Sequence, residues 1–393
     1  MAGRKLKVGI IGANWTGQYH IPVWRLIPDV EVVAICTASK ATAEAAAAKY
    51  GVERAYWDYR KLCEAPDLDI ITCGTSPQTR YDMVLTALEN NKHVYNCIPF
   101  ATDAAKGKHM LDLLRAKDRV GAIDAQWRWA PAIQRMKEMI AEGKLGRLFH
   151  VTVHLQLSFV EHDGFRYPHL VMSPTSDRPY WWNLKAAAGS SAWRHSGSHS
   201  LLLLMYLFGE IEEIVGGTQR YMDEYIFPNG ERVRPEVADH SMALLRFKNG
   251  GTANIVTSWA TPDGPGFFMQ AEGSKGRFVA RDTDYCFCDA GTTTLFYGDT
   301  RQRNHMGETG SMVDLPERLF NYPGSPYTKQ NTPMYLIGLT WLFDDFARVI
   351  RAGAGQPSPS FEEAYHVQLC IEAMERSQKT RSWVRIADME ATL

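Results

Sequence analysis

Two histidines four positions apart, His195 and His199, are the residues of this chain best suited to move a proton. An imidazole titrates near neutral pH, so it can take a proton from a hydroxyl group or return one to a carbonyl oxygen. If the segment is helical, both side chains lie on the same face, one turn apart. The spacing also suits a metal ion, with His162, His169 or Glu161 as a third ligand. Nothing fixes that ligand, and we predict no metal site.

A second chemical signal lies near the N-terminus, where Gly12, Asn14 and Gly17 separate an apolar run from a helical stretch. A strand-to-helix turn that binds a dinucleotide needs glycine at the bend, close backbone approach in the middle and a small residue where helix meets sheet. Asn tolerates the unusual backbone angles of the middle position. We predict that this turn, with Trp15, binds a dinucleotide. The alternative is an ordinary turn without a ligand.

The end of the second predicted strand bears on which dinucleotide binds. An enzyme that uses NAD usually places an acidic residue there, where it binds the ribose hydroxyl groups. This chain has Thr37, Ser39 and Lys40 instead, and no acid. Small hydroxyl groups and a lysine suit a 2′-phosphate, so the sequence favours NADP over NAD. A solvated lysine at a helix start is the alternative interpretation of Lys40.

Short apolar segments alternate with helical ones through the first third of the chain. This pattern predicts βαβ units, a parallel sheet and right-handed connections. We therefore predict an α/β Rossmann domain over residues 1–126. The predicted strands are 6–11, 30–36, 70–74, 92–96 and 120–124, and the predicted helices are 41–50, 80–90 and 104–116.

The pattern changes beyond residue 126. Longer segments alternate apolar and polar residues with period two, which is typical of a sheet with one buried face. We predict an α+β C-terminal domain, residues 127–393, with a large open and mainly antiparallel sheet. A closing helix at 361–378 is placed to pack back on the first domain. The predicted strands are 150–159, 241–247, 252–259 and 277–280, and the helices are 131–142, 201–207 and 340–350.

The composition excludes several classes of partner. The formal net charge is −1, so nothing favours nucleic acid or an anionic membrane surface. No apolar run approaches the roughly 20 residues of a transmembrane helix. The seven cysteines are scattered and odd in number, which is typical of reduced thiols and predicts a cytoplasmic protein.

Several motifs, in order along nearly the whole chain, resemble the glucose–fructose oxidoreductase / inositol dehydrogenase / rhizopine catabolism (Gfo/Idh/MocA) family. The matching segments are Gly74-Thr75-Ser76-Pro77, residues 87–94 (ALENNKHV), Trp127-Arg128-Trp129-Ala130-Pro131, residues 142–146 (EGKLG), Ala238-Asp239-His240 and residues 272–276 (EGSKG). The resemblance implies a two-domain oxidoreductase that assembles as a homodimer or homotetramer through its C-terminal sheet. It also implies cofactor contacts from the matching N-terminal segments. These contacts are Thr75, Ser76, Arg80, Cys97, Pro99 and Trp127.

The two catalytic motifs depart from that family. Family enzymes have Glu-Lys-Pro after the strand at 92–96, whereas this chain has Cys97-Ile98-Pro99. Ile98 can neither donate a hydrogen bond nor move a proton, although a cis bond before Pro99 would fit the family's bend. The family motif Asp-x-Gly-x-His becomes His195-Ser196-Gly197-Ser198-His199. The histidine is retained as His199, and His195 replaces the aspartate.

Other residues must then provide the charge that stabilises an alkoxide. Lys185 and Arg128 are the candidates, with His199 and His195 as acid–base residues. Lys185 on the surface and histidines packed in the core are the alternatives. Five tryptophans near these segments can stack on a sugar ring or an aromatic substrate, although core packing accounts for about half of such residues. They are Trp127, Trp129, Trp181, Trp182 and Trp193; Arg166, Tyr167 and His169 are further candidates for orienting a polar substrate.

Three functions remain open from the sequence. The first is an NAD(P)-dependent oxidoreductase, preferably with NADP, acting on a small sugar-like or cyclic hydroxy/oxo compound. The second is a non-catalytic dinucleotide-binding regulator, which the loss of the lysine favours. The third is a redox-neutral lyase or glycosidase on the same fold. Retention of His199 beside a second histidine favours chemistry, so we expect the oxidoreductase.

Overall fold

Two β-sheets organise the chain in a computed structural model. The model describes residues 4–157, 160–161, 164–165, 178, 180–261, 264–282, 293–299, 310–331 and 336–392. In these residues one sheet has six strands and a second has nine, and two short hairpins complete the strand pairing.

The first sheet is wholly parallel, with strand order β3-β2-β1-β4-β5-β6. Its strands are Leu6–Ile11 (β1), Val30–Cys36 (β2), Arg54–Tyr56 (β3), Ile70–Cys73 (β4), His93–Asn96 (β5) and Gly121–Ile123 (β6). Helices cover both faces, which explains why the central strands are nearly continuous apolar runs. The helices of this part are Ile21–Trp24 (α1), Lys40–Tyr50 (α2), Tyr59–Glu64 (α3), Pro77–Glu89 (α4) and Ala104–Ala116 (α5). The predicted Rossmann fold is confirmed.

The second sheet follows helix Pro131–Ala141 (α6) and is mostly antiparallel, with order β18-β17-β16-β15-β7-β14-β13-β10-β19. Its strands are Leu148–Gln156 (β7), Ile211–Gln219 (β10), His240–Phe247 (β13), Thr252–Ser258 (β14), Gly266–Gly273 (β15), Gly276–Asp282 (β16), Thr293–Asp299 (β17), Ser311–Met312 (β18) and Val384–Arg385 (β19). The two hairpins pair Val160–Glu161 (β8) with Gly164–Phe165 (β9), and Tyr225–Ile226 (β11) with Arg232–Val233 (β12). Only the β7–β14 pair is parallel among the described pairs of this sheet. Burial alternates along β13, so one face of the sheet packs inward, as predicted.

Four further helices belong to the C-terminal part of the chain, and two of them contact the elements of the first sheet. The four helices are Ser198–Phe208 (α7), Leu336–Ala352 (α8), Phe361–Thr380 (α9) and Ile386–Glu390 (α10). Phe343 of α8 stacks on Trp24 with ring centroids 4.1 Å apart. Glu372 of α9 accepts a hydrogen bond from the Ala104 amide at 2.6 Å. These contacts tie the C-terminal helices to the first sheet, while the domain boundary at residues 126–127 stays a prediction.

The sequence pattern did not predict strands β3 and β15. Strand β3 is short and half-buried, so its apolar signal is weak. Strand β15 begins and ends with glycine, which weakens its strand pattern, although most of its residues are buried in the middle of the second sheet. Across the described part of the chain, no helix combines the length and apolar character required to cross a bilayer.

Candidate functional site

A pocket opens where the carboxyl ends of the parallel strands face the second sheet. Ligands of open α/β sheets bind at this edge, near the point where the strand order reverses. Gly74 follows β4, Cys97 follows β5 and Asp124 follows β6, so three strand ends reach the same cavity. The pocket is lined by Trp15, Gly74, Thr75, Arg80, Cys97, Ile98, Asp124, Gln126, Trp127, Leu155, Leu157, Tyr180, Trp182, Asn183, His195, Ser196 and His199.

The glycine turn has the geometry that dinucleotide binding requires. Gly12 has φ +100°, and a Cβ there would lie 2.9 Å from the Gly74 carbonyl oxygen. A Cβ on Gly74 would lie 1.9 Å from Thr16 Cγ2, and one on Gly17 would lie 2.5 Å from the Tyr50 ring. These contacts leave no room for larger side chains, so the backbone of the turn approaches both the sheet and the next strand end closely.

The other predicted residues of the turn take different positions. Asn14 is exposed, and its carbonyl oxygen accepts a hydrogen bond from the Gln18 amide at 3.0 Å. Trp15 instead lines the pocket, and its Nε1 donates to Asp124 at 3.0 Å. The turn therefore presents an accessible polar residue on one side and an aromatic ring to the pocket on the other.

Residues at the end of β2 form a compact hydroxyl cluster beside an exposed cation. Ser39 caps helix α2 by accepting from the Thr42 amide at 3.3 Å, and Thr37 Oγ1 lies 2.6 Å from Thr42 Oγ1. The ammonium group of Lys40 lies 5.6 Å from the centre of the exposed Trp57 ring and 3.8 Å from Glu44. This arrangement leaves Lys40 accessible to an anionic ligand.

Arg80 bridges the loops that follow β4 and β5. Its guanidinium donates to the Thr75 carbonyl at 2.7 Å and to the Pro99 carbonyl, and the side chain is almost wholly buried. The Ile98–Pro99 peptide bond is cis, as the family bend suggested. Ser76 directly precedes helix α4 as its N-cap residue and is not among the pocket-lining residues. Arg80 thus places a fixed positive charge next to Ile98.

The two histidines lie together in the pocket, on a helical segment as the spacing predicted. His195 belongs to a π-helical turn, Trp193–Gly197, that continues into α7, and the two imidazole centroids are 5.5 Å apart. His199 stacks on Trp127 at 4.3 Å with nearly parallel rings. Its Nδ1 is buried and has no hydrogen-bond partner among the described residues.

Both imidazoles are held in the neutral form. Burial lowers the pKa of His195 to about 4, with help from the charge of Arg80 and against the attraction of Asp124. Burial and then the charge of His195 lower the pKa of His199 to about 3, again against Asp124. A neutral imidazole has a free nitrogen that can accept a hydrogen bond from a substrate hydroxyl at neutral pH, while the lowered pKa makes each a weak base in the free protein.

The structure does not support the catalytic roles predicted for Arg128 and Lys185. The Arg128 guanidinium is buried away from the pocket, where it binds Glu363 at 2.8 Å and Ser358 at 2.7 Å. Lys185 lies at the surface, paired with Glu236 at 2.9 Å. Sequence proximity to the family motifs misled the prediction, because packing directs these two side chains elsewhere.

Of the five tryptophans that the sequence singled out, two line the pocket and three lie elsewhere. Trp127 and Trp182 line the cavity. Trp193 is buried and donates to the Ile371 carbonyl at 3.1 Å, and Trp129 donates to the Ser358 carbonyl at 2.7 Å. Trp181 is exposed. The side chains of Arg166, Tyr167 and His169 lie outside the described residues.

The sequence analysis missed Asp124, whose carboxylate lies at the floor of the pocket. It accepts hydrogen bonds from Trp15 and from Tyr95, the latter at 2.9 Å, and lies 3.2 Å from His20 Nε2. An acid at the last position of the predicted strand 120–124 was the available signal, because strand ends meet at the ligand edge of such a sheet.

A cluster of three possible metal ligands surrounds the same carboxylate. Donor atoms of His20, Cys97 and Asp124 all lie within 4.8 Å of one another. Hydrogen bonding explains the cluster without an ion, since Cys97 Sγ donates to Asp124 at 3.5 Å. The third ligands considered for the histidine pair are His162, His169 and the side chain of Glu161, and these lie outside the described residues. The absence of a metal site stays a prediction.

Comparison with protein families identifies two matching regions. Residues 6–124 match a model described as an oxidoreductase family with an NAD-binding Rossmann fold, and residues 133–279 match the Gfo/Idh/MocA C-terminal domain. Together these regions cover more than half of the chain.

Curated relatives and solved structures agree with this result. The chain is 24% identical to levoglucosan dehydrogenase of Pseudarthrobacter phenanthrenivorans, over 99% of this chain and 100% of that protein. It is 23% identical to myo-inositol 2-dehydrogenase of Thermotoga maritima, over 70% of this chain and 75% of that protein. A structure of levoglucosan dehydrogenase in complex with NADH matches with a TM-score of 0.80 and 22% identity, covering 98% of this chain and 99% of that one. At that identity the structural match concerns the fold.

Proposed function

Because the chain belongs to the Gfo/Idh/MocA family of NAD-binding oxidoreductases, we propose that it oxidises or reduces a small sugar-like or cyclic hydroxy/oxo compound. The protein is an NAD(P)-dependent oxidoreductase, and the proposal concerns its substrate and the residues that act on it. The observation that carries the proposal is the pair of neutral, buried imidazoles in a pocket that adjoins the glycine turn.

The residues around the turn fit a dinucleotide. Gly12 and Gly74 keep the backbone clear of side chains, so a pyrophosphate can approach the start of the helix that follows. We propose that Asn14 and Trp15 flank it, that Thr37, Ser39 and Lys40 hold the adenosine ribose, and that the pocket-lining residues at the ends of β4 and β5 hold the nicotinamide. Those residues are Thr75, Arg80 and Cys97. When bound, the nicotinamide accepts or donates the hydride.

The character of the pocket supports a neutral, ring-shaped substrate. Trp127, Trp182 and Tyr180 provide aromatic surface, and Leu155 and Leu157 close one wall. Aromatic faces bind the C–H faces of sugar rings, while nearby polar groups orient the hydroxyls. The fixed charges that line the pocket within the described residues, those of Arg80 and Asp124, have opposite signs. They do not favour a charged substrate.

The proposed chemistry assigns a role to each polar side chain. His199 takes the proton from the substrate hydroxyl during oxidation and returns it during reduction. His195 lies one turn away and shares this pocket wall. Arg80 supplies the positive charge that Ile98 lacks, and it can stabilise an alkoxide that forms nearby.

A titration of the purified protein with NADPH and NADH, followed by fluorescence, tests cofactor binding. A panel of sugars, polyols and cyclic diols, followed by absorbance of the reduced nicotinamide, then tests turnover. Binding with turnover supports the proposal. Binding without turnover on every compound would favour the regulator or the redox-neutral enzyme. Failure to bind either nucleotide would contradict the proposed site.

We propose NADP as the preferred cofactor, and Lys40 provides the test. Replacing Lys40 by alanine is expected to raise the dissociation constant for NADPH by roughly tenfold, since one charge-assisted contact with the 2′-phosphate is lost. The constant for NADH should change less than about twofold, because its ribose lacks that phosphate. Fluorescence titration of both nucleotides measures the two constants.

Lys49 provides a matched control, since it is another lysine of α2, near its C-terminal end. Lys49→Ala should leave both constants unchanged. An equal loss of NADPH and NADH affinity in Lys40→Ala would show that Lys40 does not distinguish the cofactors.

We also propose that two copies of the chain associate through the open face of the second sheet. Met242 and Leu244 of β13 are more than half exposed on that face, and Val256 of β14 lies beside them. A contiguous apolar patch on a sheet face is typical of a protein interface. Leu244→Glu should therefore convert the oligomer to a monomer in light-scattering measurements. Leu244→Met should not, and a wild-type monomer would contradict the proposal.

The cysteines support a reducing compartment such as the cytoplasm. Cys36, Cys63, Cys73, Cys97 and Cys370 are all buried free thiols in the described part of the chain. Burial raises the pKa of Cys36 and Cys63 to about 12, so neither thiol is reactive at neutral pH.

A further inference from the structure

Gln126 is a buried side chain of the pocket whose carbonyl oxygen lacks a hydrogen bond. The residue is 6% exposed and lines the cavity. Its Oε1 atom is buried and has no hydrogen-bond partner within the part of the chain that the structure describes. A buried polar group without a partner is costly, so each one in a folded protein calls for an explanation. A ligand that occupies the cavity would supply the missing partner.

The packing around Gln126 fixes the direction of this side chain. Gln126 begins a 3₁₀ turn, Gln126–Trp129, that follows the end of β6. Helix α8 contacts the turn at Gly338, where an added Cβ would lie 2.9 Å from the backbone oxygen of Gln126 and 3.4 Å from its Cβ. Trp129 holds the other end of the turn by donating to the Ser358 carbonyl at 2.7 Å. Since α8 closes one side of Gln126, the carboxamide extends toward the cavity.

The next residue places this carboxamide beside the proposed reacting group. Trp127 stacks on His199 with ring centroids 4.3 Å apart, and both residues line the same cavity as Gln126. Consecutive Cα atoms are about 3.8 Å apart, so the side chains of Gln126 and Trp127 leave the backbone close together. A small ring whose reacting hydroxyl contacts His199 therefore also reaches the Gln126 carboxamide.

The chemistry of an amide selects a hydroxyl group as its partner. Oε1 is an acceptor, so its partner must be a donor, and ether, carboxylate and phosphate oxygens do not donate at neutral pH. A half-turn of the amide exchanges its oxygen and nitrogen, and a hydroxyl serves either end because it both donates and accepts. The neutral character of the proposed substrate leaves a hydroxyl as that donor.

We propose that Gln126 is a specificity-determining residue that binds a second hydroxyl group on the substrate ring. The inference rests on the proposed function. The reacting hydroxyl lies at His199, whereas the second one hydrogen-bonds to the carboxamide and does not react. The preferred substrates are therefore rings with at least two free hydroxyl groups. A ring alcohol with only one leaves Oε1 unpaired in the complex, so the site discriminates against it.

Cyclohexanol and the cyclohexane-1,2- and 1,3-diols are probes that differ by one hydroxyl group. For wild type, kcat/KM of the better diol should exceed that of cyclohexanol by about 100-fold, since a site that hydrogen-bonds a hydroxyl rejects the analogue without it. Gln126→Met keeps the length of the side chain but removes the carboxamide. Its kcat/KM should fall at least about 30-fold for the diol and less than about threefold for cyclohexanol. Equal losses for both compounds would overturn the proposal.

Cofactor affinity separates this role from a contact with the nicotinamide. The dissociation constants of Gln126→Met for NADPH and NADH should stay within about twofold of wild type. A rise of about tenfold would mean that the carboxamide binds the cofactor, and it would overturn the proposal. Gln134→Met is the matched control, because Gln134 lies outside the pocket lining and donates to the Arg128 carbonyl at 2.5 Å and to Tyr206 at 3.0 Å. This variant should keep the wild-type preference for the diol.

Melting temperatures test the inference without turnover. Gln126→Met removes a buried group that has no partner, so the ligand-free variant should melt about 1–3 °C above wild type. A variant that melts below wild type or fails to fold would show that the carboxamide serves packing, and it would overturn the inference.

The same measurement detects binding of the second hydroxyl. With NADPH bound, an excess of the better diol should raise the melting temperature of wild type more than that of Gln126→Met. Equal shifts in the two proteins would overturn the inference. A wild type that turns over none of these compounds would contradict the proposed function, and the melting temperatures would still decide the role of Gln126.

Discussion

Replacing His199 by glutamine is expected to lower kcat by roughly 100- to 10,000-fold, the usual contribution of a general acid–base residue. The amide can donate and accept hydrogen bonds but does not titrate near neutral pH, so it cannot take up the substrate proton. His199 is the imidazole best placed for this transfer, because its Nδ1 has no hydrogen-bond partner in the part of the chain that the structure describes and its ring lies against Trp127. Absorbance of the reduced nicotinamide, measured at saturating cofactor and substrate, gives kcat.

Cofactor affinity should separate a catalytic effect from a folding defect. The dissociation constants of His199→Gln for NADPH and NADH should stay within about threefold of wild type, because the proposed cofactor contacts come from the glycine turn and from the ends of β2, β4 and β5 rather than from this histidine. His109→Gln is the control, since His109 is an exposed histidine of α5 that contacts Tyr81. A His199→Gln variant with near wild-type kcat would show that another group moves the proton.

Replacing Arg128 by methionine is expected to destabilise the protein while leaving its chemistry intact. The change leaves the Glu363 carboxylate without its buried partner, and Arg128 also binds Ser358 and packs its guanidinium on the Tyr206 ring. Breaking a buried pair costs about 3–5 kcal/mol, and the partial exposure of Glu363 reduces the expected loss to roughly 2–3 kcal/mol. Urea unfolding followed by fluorescence measures the change in the free energy of unfolding.

Lys185→Met is the natural comparison, because Lys185 was the other cation considered for catalysis. Its pair with Glu236 lies at the surface, so the free energy of unfolding should change by less than about 1 kcal/mol. Both variants should keep kcat within about threefold of wild type at 25 °C. A 100-fold loss of kcat in either folded variant would restore the catalytic role that its sequence position suggested.

The sequence alone determined the Rossmann fold and the helical pair of histidines. Both depend on local sequence patterns, which can be recognised without knowledge of the tertiary structure. The apolar run at residues 6–11, followed by Gly12 and Gly17, is the pattern of a buried strand that ends in a tight turn. His195 and His199 share a face wherever a helix forms. The replacement of a lysine by Ile98 was equally visible, because it depends only on residue identity.

Tertiary packing decided which charged side chains reach the pocket. Arg128 stands beside pocket-lining Trp127 in sequence but points toward Glu363, whereas Arg80 lies far from the histidines in sequence yet lines the same cavity. Asp124 is held in the pocket by donors on other segments, including Trp15 and Tyr95. A side chain's direction depends on the elements packed around it, and a linear pattern does not contain that information. The charge balance of the site is therefore a property of the folded chain.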